Sequence, residues 1–163
     1  MDSILIRALR YEELDACAKV IRDSFATVAD NFGLTEQNCP TNGAFIRTER
    51  LVFDRDKGAM MYGLFVHNEL AGFLQLMEKE TGVFELEKLA VLPKHRHAGY
   101  GTRLVSFAAD TARTHGGRKI TIGIIDAHAV LKNWYLQQGF VPVGTREFAH
   151  LPFVVGFMEL ALS

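Results

Sequence analysis

Residues 86–104 read LEKLAVLPKHRHAGYGTRL and are the most informative part of the sequence. An apolar, β-prone run ends at Pro93, and a loop with Gly99 and Gly101 then runs directly into a predicted helix. The first amides of a helix lack intrahelical partners and carry the positive end of its dipole. Because such a terminus binds anions, the sequence predicts a pyrophosphate site here.

The spacing of this loop excludes two common phosphate-binding folds. A Walker loop requires Gly-Lys-Ser or Gly-Lys-Thr, and neither occurs in the chain. A dinucleotide-binding fold carries GxGxxG after its first strand, whereas the sixth position here is Leu104. Thr102 offers a hydroxyl to the anion. The basic side chains expected around it are Lys94, His95, Arg96, His97 and Arg103.

Hydrophobic periodicity on either side of the loop predicts an alternation of strands and helices. The predicted strands are residues 4–8, 61–67, 70–77, 83–91, 119–125, 140–148 and 152–160. The predicted helices are residues 11–25, 44–55, 100–115 and 129–138. Residues 27–43 are rich in Asn, Thr, Gly and Pro and are predicted to be a long loop with at most a short helical piece. Asn68-Glu69 is predicted to be a hairpin turn. The order indicates one mixed α/β domain spanning residues 1–163.

Composition and charge narrow the classes of function. The chain has 163 residues, 48% hydrophobic and 23% charged, which is typical of a globular domain that folds without disulfides or metals. A net charge of −1 argues against nucleic-acid binding. Cys17 and Cys39 form no CxxC pair and are expected to be reduced thiols. No signal peptide or membrane span is recognisable, so we expect a cytoplasmic protein without a membrane partner.

Residues 96–101, Arg-His-Ala-Gly-Tyr-Gly, match the R/Q-x-x-G-x-G/A loop of the GNAT superfamily of N-acetyltransferases. Leu-Ala-Val-Leu-Pro upstream and Asn-Trp-Tyr-Leu-Gln-Gln-Gly-Phe downstream resemble the same family in the same order. The resemblance implies acetyl-CoA as cosubstrate. It also implies an α+β domain with a mixed, mostly antiparallel, twisted sheet of about seven strands. Helices would flank this sheet, which would splay between strands 4 and 5.

The same resemblance implies specific cofactor contacts. Main-chain groups at the end of the fourth strand would hydrogen-bond the pantetheine arm, and amides of the glycine loop would hold the pyrophosphate. Residues 122–125 would form the facing wall. His128 stands where the family often has asparagine, and its imidazole could donate a similar hydrogen bond. The expected acetyl-CoA-binding residues are Leu89, Ala90, Val91, Arg96, His97, Ala98, Gly99, Tyr100, Gly101, Thr102, His128 and Asn133.

Acetyl transfer to an amine calls for a base and an acid. Glu85 and Glu87 are two residues apart on a predicted strand, which puts both on one face. Either could be the base, with Glu85 preferred because it lies further from the glycine loop, or both could be solvated surface charges. Tyr135 matches the family's tyrosine that protonates the CoA sulfur, although a packing role would also explain it. His95 and His97 are interpreted as exposed or phosphate-facing, and no metal site is expected.

The acceptor is the least determined part of the prediction. The resemblance implies that residues 30–43 and 148–153 line its site, and their mixture of aromatic and polar groups suits a small-molecule or peptide amine with an apolar body. We expect direct attack of the amine on the thioester in a ternary complex. Two alternatives remain open, a non-catalytic acyl-CoA-binding regulatory module and transfer of a longer acyl group. The resemblance is compatible with a homodimer, since dimers are common in this family, but no residue of the sequence requires one.

Overall fold

The computed structural model describes residues 3–163. The strands are β1 (Ile4–Ala8), β2 (Met60–Val66), β3 (Glu69–Glu80), β4 (Val83–Val91), β5 (Lys119–Ile125), β6 (Val141–Glu147) and β7 (Val154–Ala161). The helices are α1 (Leu14–Asn31), α2 (Thr48–Asp56), α3 (Tyr100–Thr114) and α4 (Ala129–Gln137). Short 3-10 turns at Tyr11–Glu13, Gly43–Phe45 and Pro93–His95 precede α1, α2 and α3.

The strands form a seven-stranded sheet in the order β1-β2-β3-β4-β5-β7-β6. β4 and β5 run parallel, and every other neighbouring pair within residues 3–163 is antiparallel. β4 pairs with β5 at Val83, Phe84 and Glu85, and the two strands separate beyond these positions. The predicted mixed, mostly antiparallel sheet and its splay between strands 4 and 5 are therefore confirmed.

Helices cover both faces of the sheet because the strands send alternate side chains into two apolar layers. On β3, Leu74 packs in the layer that contains α3, and its neighbour Phe73 packs in the layer that contains α1 and α2. The helices contribute apolar residues at helical spacing: Leu104, Ala108 and Ala112 from α3, and Leu14, Ala18 and Ile21 from α1. Among the helices of residues 3–163, none has both the length and the apolar character needed to cross a bilayer.

Both cysteines are free and buried. Cys17 lies on the buried face of α1, in the apolar layer between this helix and the sheet, where burial raises the pKa of its thiol to about 12. The thiol therefore stays protonated, and poorly nucleophilic, at neutral pH. Cys39 is 1% exposed and packs against Ala29 and Leu34. This arrangement matches the expected pair of reduced thiols.

The predicted end of α1 is wrong. The periodicity predicts a helix that ends at Phe25 and a loop over residues 27–43, but α1 continues to Asn31. The additional turns bury Ala29 against Leu34, so the helix gains an apolar contact where its sequence is mostly polar. Tertiary packing of this face outweighs the weak local helix propensity, which is the usual source of helix stability in proteins.

The predicted starts of two other features are also wrong. α2 begins at Thr48, later than the periodicity predicts, because the Asn42 side chain accepts a backbone hydrogen bond that folds the preceding residues as a 3-10 turn. The turn between β2 and β3 is His67-Asn68 instead of Asn68-Glu69. Both turn residues have positive φ, 50° and 67°. That is the type I′ geometry, whose twist matches a β-hairpin.

Candidate active site

A cleft of about 1220 Å³ opens where β4 and β5 separate. Residues 85–89 and Val91 line it from β4, and residues 122–125 line it from β5. The glycine loop, residues 96–101, contributes all of its residues except Ala98 to the lining. The 3-10 turn before α2 and the start of β7 also contribute to it. The two strands therefore form facing walls, in the arrangement that the family resemblance implies.

The glycine loop enters α3 through an open helix terminus. Gly99 is the N-cap residue at φ +82° and ψ 9°, a left-handed conformation that costs free energy for residues with a Cβ. Within residues 3–163, no side chain caps the first turn of α3. A Cβ at Gly99 would meet no atom within 4 Å, so the space in front of the terminus is open. The first amides of α3 are thus available to an anion.

Gly101 allows α3 and α4 to approach closely. Its backbone packs against Trp134 of α4, and a Cβ at this position would lie 2.9 Å from Cζ2 of the indole. Trp134 lines the cleft beside the loop and is the chain's single tryptophan. The contact fixes α4 against the glycine loop, which explains why a residue without a side chain is needed here.

Three basic side chains of the loop region lie away from the open helix terminus. The Arg96 guanidinium donates to the carbonyl oxygen of Ser24 at 2.7 Å, which ties the loop to α1. Nζ of Lys94 lies 3.8 Å from Oε1 of Glu69. Arg103 lines a separate groove beside β1. The backbone amides of the loop, which the resemblance assigns to the pyrophosphate, are therefore the more direct anion donors in this structure.

The two histidines of the loop region both line the cleft. Nε2 of His95 is buried and has no hydrogen-bond partner among residues 3–163. A buried polar atom of this kind is normally paired, so this nitrogen is a candidate contact for a bound ligand. His97 and Ala98 are exposed, and Ala98 is not part of the lining. No cluster of three His, Cys, Asp or Glu residues suited to a metal ion occurs in the described part of the chain.

A β-bulge shapes the β4 wall of the cleft. Phe73 pairs with Ala90 and Gln75 pairs with Glu87, so two residues of β4 oppose a single residue of β3. The first of these two residues, Lys88, has φ 56°, which is uncommon for a residue with a side chain. The bulge thus breaks the regular alternation of side chains at the centre of the cleft wall.

Beyond Glu85, the β5-facing edge of β4 is not paired with β5. Leu89 and Val91 line the cleft along this edge, and Ala90 is buried behind it. Backbone N–H and C=O groups need partners, so an extended ligand could pair with this edge as an added strand does. The edge is the part of β4 to which the resemblance assigns the pantetheine arm.

Glu85 and Glu87 line the cleft together. Burial, and after it the proximity of the Glu87 carboxylate, raises the pKa of Glu85 to about 7. Burial also opposes ionisation of Glu87, but its interaction with Glu85 and the ammonium groups of Lys88 and Lys79 lower its pKa. The pair therefore holds one proton near neutral pH, with Glu87 ionised.

Tyr135 lies on α4 with its side chain in the cleft lining. Its ring packs edge-on against Trp134 and Phe140, with ring centroids 4.9 Å and 5.3 Å apart. The residue is 6% exposed, and burial raises the pKa of the phenol. The hydroxyl is therefore protonated at neutral pH and can donate a proton or a hydrogen bond.

His128 caps α4 and also lines the cleft. Its Nδ1 accepts from the Leu131 amide at 3.3 Å, and its ring lies 5.3 Å from the ring of Phe32. Burial lowers the pKa of the imidazole, so the ring is neutral with the proton on Nε2. Asn133 is exposed and lies outside the lining of the cleft, in contrast to the expected contact.

The part of the lining that the resemblance assigns to the acceptor, which we call the acceptor end of the cleft, comes partly from the two expected loops. Residues 30–43 and 148–153 contribute Asn31, Glu36, residues 39–43, Leu151 and Phe153. The sequence does not single out Phe25, Phe45 and Glu49, which line the same end from α1, the 3-10 turn and α2. These residues lie in helical segments whose spacing indicates only packing, and no local motif marks them.

Residues 29–140 match the model of the acetyltransferase (GNAT) family, which is more than half of the chain. The chain therefore belongs to this family, and it is an acyltransferase. The family assignment agrees with the strand, proline, glycine-loop and helix order on which the sequence-based resemblance rests.

Individual relatives are similar along their whole length. The uncharacterized N-acetyltransferase in the pepI 3′ region of Lactobacillus delbrueckii subsp. lactis is 25% identical and aligns with 96% of this chain and 92% of its own. The ribosomal-protein-S18-alanine N-acetyltransferase of Escherichia coli superposes with a TM-score of 0.79 at 15% identity, covering 99% and 95% of the two chains. The PaiA N-acetyltransferase of Thermoplasma acidophilum, solved with coenzyme A, gives 0.77 at 20% identity, covering 98% and 99%. These structural likenesses confirm the fold.

Proposed function

We propose that the chain is one N-acetyltransferase domain that moves an acetyl group from acetyl-CoA to a primary amine. The main support for this proposal is that four features line one cleft. They are the β4 edge that is not paired with β5, the open terminus of α3, the carboxyl pair Glu85 and Glu87, and the buried Tyr135. The amine attacks the thioester directly, since no nucleophile with an activating base is apparent in the lining. The acceptor is a small molecule or a peptide.

The described residues fit a CoA thioester. The space before Gly99 leaves room for an anion at the terminus of α3, and the unpartnered Nε2 of His95 is a further candidate contact in the lining. Leu89 and Val91 lie on β4 between the carboxyl pair and that terminus. Their main-chain groups on the β5-facing edge of β4 are not paired with β5. In this proposal the amides of residues 99–102 bind the pyrophosphate, and the β4 edge binds the pantetheine arm.

The carboxyl pair acts as the base. An alkyl amine with a pKa near 10.4 is only about 0.04% neutral at pH 7, so a group that removes its proton accelerates attack. Glu85 can accept that proton once it is ionised, and its ionised fraction grows as the pH rises through its raised pKa of about 7. Carboxylates also attract the cationic amine into the cleft.

Tyr135 supplies the acid. The sulfur of the leaving CoA needs a proton or a hydrogen bond as the C–S bond breaks. The Tyr135 phenol is the protonated donor in the lining, and its packing against Trp134 and Phe140 fixes its direction. Two protons leave the ammonium nitrogen in all: the first passes through the carboxyl pair to solvent, and the second, released as the amide forms, replaces the proton that Tyr135 gives to sulfur.

The proposal can be tested by incubating the protein with acetyl-CoA and a panel of primary amines, from alkylamines to short peptides, and measuring the release of the CoA thiol. We expect CoA release that needs both the protein and an amine. Binding of CoA without turnover across the panel would favour a regulatory acyl-CoA-binding module instead. Turnover only with longer acyl-CoA species would mean that the transferred group is a longer acyl chain.

The pH dependence tests the role of the carboxyl pair. We expect kcat/KM of the wild type to rise with pH through about 7, because Glu85 is protonated below its raised pKa. Glu85→Gln should lose this acidic limb and about tenfold in kcat/KM, a modest loss because Glu87 remains in reach. Glu80→Gln, which changes an exposed carboxylate outside the cleft lining, should keep both. An unaltered profile in Glu85→Gln would exclude Glu85 as the base.

A further inference from the structure

We propose that Asp54 and Lys88 are positioning residues for the carboxyl pair, holding Glu87 ionised and in place so that proton transfer from the amine falls to Glu85. The inference rests on the proposed function and names two residues that no catalytic motif marks. It depends on the geometry of the bulge in β4 and on a buried ion pair between β4 and α2.

The bulge gives Lys88 its unusual position. In a regular strand, consecutive residues point to opposite faces, so Lys88 would lie across the sheet from Glu87. At φ 56°, the side chain of Lys88 instead lies on the same face of the strand as Glu87. Its Nζ lies 3.3 Å from Oε2 of Glu87 and 2.9 Å from Oδ2 of Asp54.

Asp54 fixes the far end of Lys88. The residue is 5% exposed on α2, and two further donors hold its carboxylate. Nε of Arg50 lies 3.1 Å from Oδ1, and Nε2 of Gln75 lies 3.2 Å from Oδ2. Gln75 is fully buried on β3 and is the register partner of Glu87. The anchor therefore links α2, β3 and β4 directly beneath the carboxyl pair.

The charges around the pair are unevenly placed. Lys79 on β3 lies 3.5 Å from Glu87 and 4.0 Å from Glu85, and its side chain is 49% exposed. The Lys88 side chain is 15% exposed, so its charge is less screened by water. From β5, the partner of Glu85 is the uncharged Thr121.

Other charged groups near this part of the cleft are either paired or further along its lining. On α2, Arg50 is engaged by Asp54, and Glu49 lines the acceptor end. Arg47 lies 3.2 Å from Glu36. Both ammonium groups lie within 3.5 Å of a Glu87 oxygen and act on Glu85 from further away, which places the negative charge on Glu87 and the shared proton on Glu85.

Removal of the buried ammonium should make both carboxyls harder to ionise. An opposite charge within about 4–6 Å lowers a carboxyl pKa by about 1–3 units, so its loss raises the pKa by a comparable amount. Because the base must be deprotonated, the acidic limb of kcat/KM should move to higher pH. A purely structural role for Lys88 would lower activity without moving that limb.

Lys88→Met and Lys79→Met form a matched pair for the test. Each removes one positive charge at a similar distance from Glu87, but only Lys88 is buried and anchored on Asp54. We expect the acidic limb to move up by about one pH unit or more in Lys88→Met and by clearly less in Lys79→Met. Lys88→Arg should restore the wild-type limb. Equal shifts in the two methionine variants, or no shift in either, would overturn the proposal.

A second readout separates this inference from the proposed function. Carboxyl-carbon NMR of glutamate-labelled protein reports the titration of Glu85 and Glu87 without any turnover. We expect the same upward shift there in Lys88→Met, and the proposal fails as a statement about the pair if the titration is unchanged. If the titration moves but no amine is ever acetylated, the network stands and the proposed function fails.

A double variant keeps the test valid if loss of Lys88 alone prevents folding. Lys88→Met with Asp54→Asn removes both ends of the ion pair, so that no buried charge is left unpaired. The titration should still move upward, because Lys88 is the end that contacts Glu87. A downward movement would contradict the proposed role of Lys88.

Discussion

A Gly99→Val variant should lose CoA binding. The residue has φ +82°, and a β-branched side chain is strained in this conformation by about 1–2 kcal/mol per residue. The new methyl groups would also occupy the open space in front of the α3 amides. We expect affinity for acetyl-CoA and for CoA to fall at least about 100-fold, which corresponds to about 2.7 kcal/mol.

Thermal unfolding with and without the ligand measures the effect. A ligand at a hundred times its Kd stabilises the fold by about 2.7 kcal/mol, which gives a clear shift in Tm for the wild type. Gly99→Val should give almost no shift with acetyl-CoA or CoA, and ATP should give none with either protein. An undiminished shift in the variant would exclude the glycine loop as the pyrophosphate site.

Gly116→Val provides the matched control for backbone strain. Gly116 has φ +79°, and a Cβ there also meets no atom within 4 Å, but the residue follows the other end of α3 and lies outside the cleft lining. We expect it to lower Tm about as much as Gly99→Val while it keeps the ligand-induced shift. Equal loss of binding in both variants would mean that general destabilisation, and not the loop, is responsible.

A Tyr135→Phe variant should lower kcat about 100-fold, the low end of the range for loss of a general acid. The change deletes the phenolic hydroxyl and leaves the ring to pack against Trp134 and Phe140. Binding of acetyl-CoA and the Tm should therefore be almost unchanged, and KM for the amine should change little.

Single-turnover kinetics with a saturating amine separate the chemical step from product release in this variant. Tyr62→Phe is the comparison, because Tyr62 is half-buried against Phe107 on the other side of α3 and is not part of the cleft lining. It should retain wild-type kcat. A Tyr135→Phe enzyme with normal kcat would leave packing as the sole role of this tyrosine.

The sequence predicted best those elements whose pattern is local. The bounds of β4 and β5 agree with the structure, because an apolar run closed by Pro93 and a continuous apolar run have clear ends. The glycine loop and the start of α3 also agree, since backbone conformation there depends on Gly99 itself. The spacing of Tyr135 from the Gly-Phe pair predicts a position one helical turn earlier, and the structure has this residue on α4 in the cleft lining.

Features that depend on distant contacts could not be predicted in the same way. The last turns of α1 form because Ala29 packs against a loop that follows it. The partnership of Asp54 with Lys88 joins residues 34 positions apart and depends on a bulge that leaves no mark in the sequence. Arg96 illustrates the same limit, since its motif suggests a phosphate contact while its guanidinium binds the Ser24 carbonyl.

The contact between Gly101 and Trp134 has a spectroscopic consequence. The chain's single indole packs on the loop proposed to bind the cofactor and lies 4.9 Å, ring to ring, from the tyrosine proposed as the acid. Its emission should therefore change when CoA enters the cleft, and the Gly99→Val protein should lack that change. Trp134 is thus an intrinsic fluorescent probe between the proposed cofactor loop and the proposed acid. Fluorescence titrations of the unlabelled protein can therefore follow ligand binding directly.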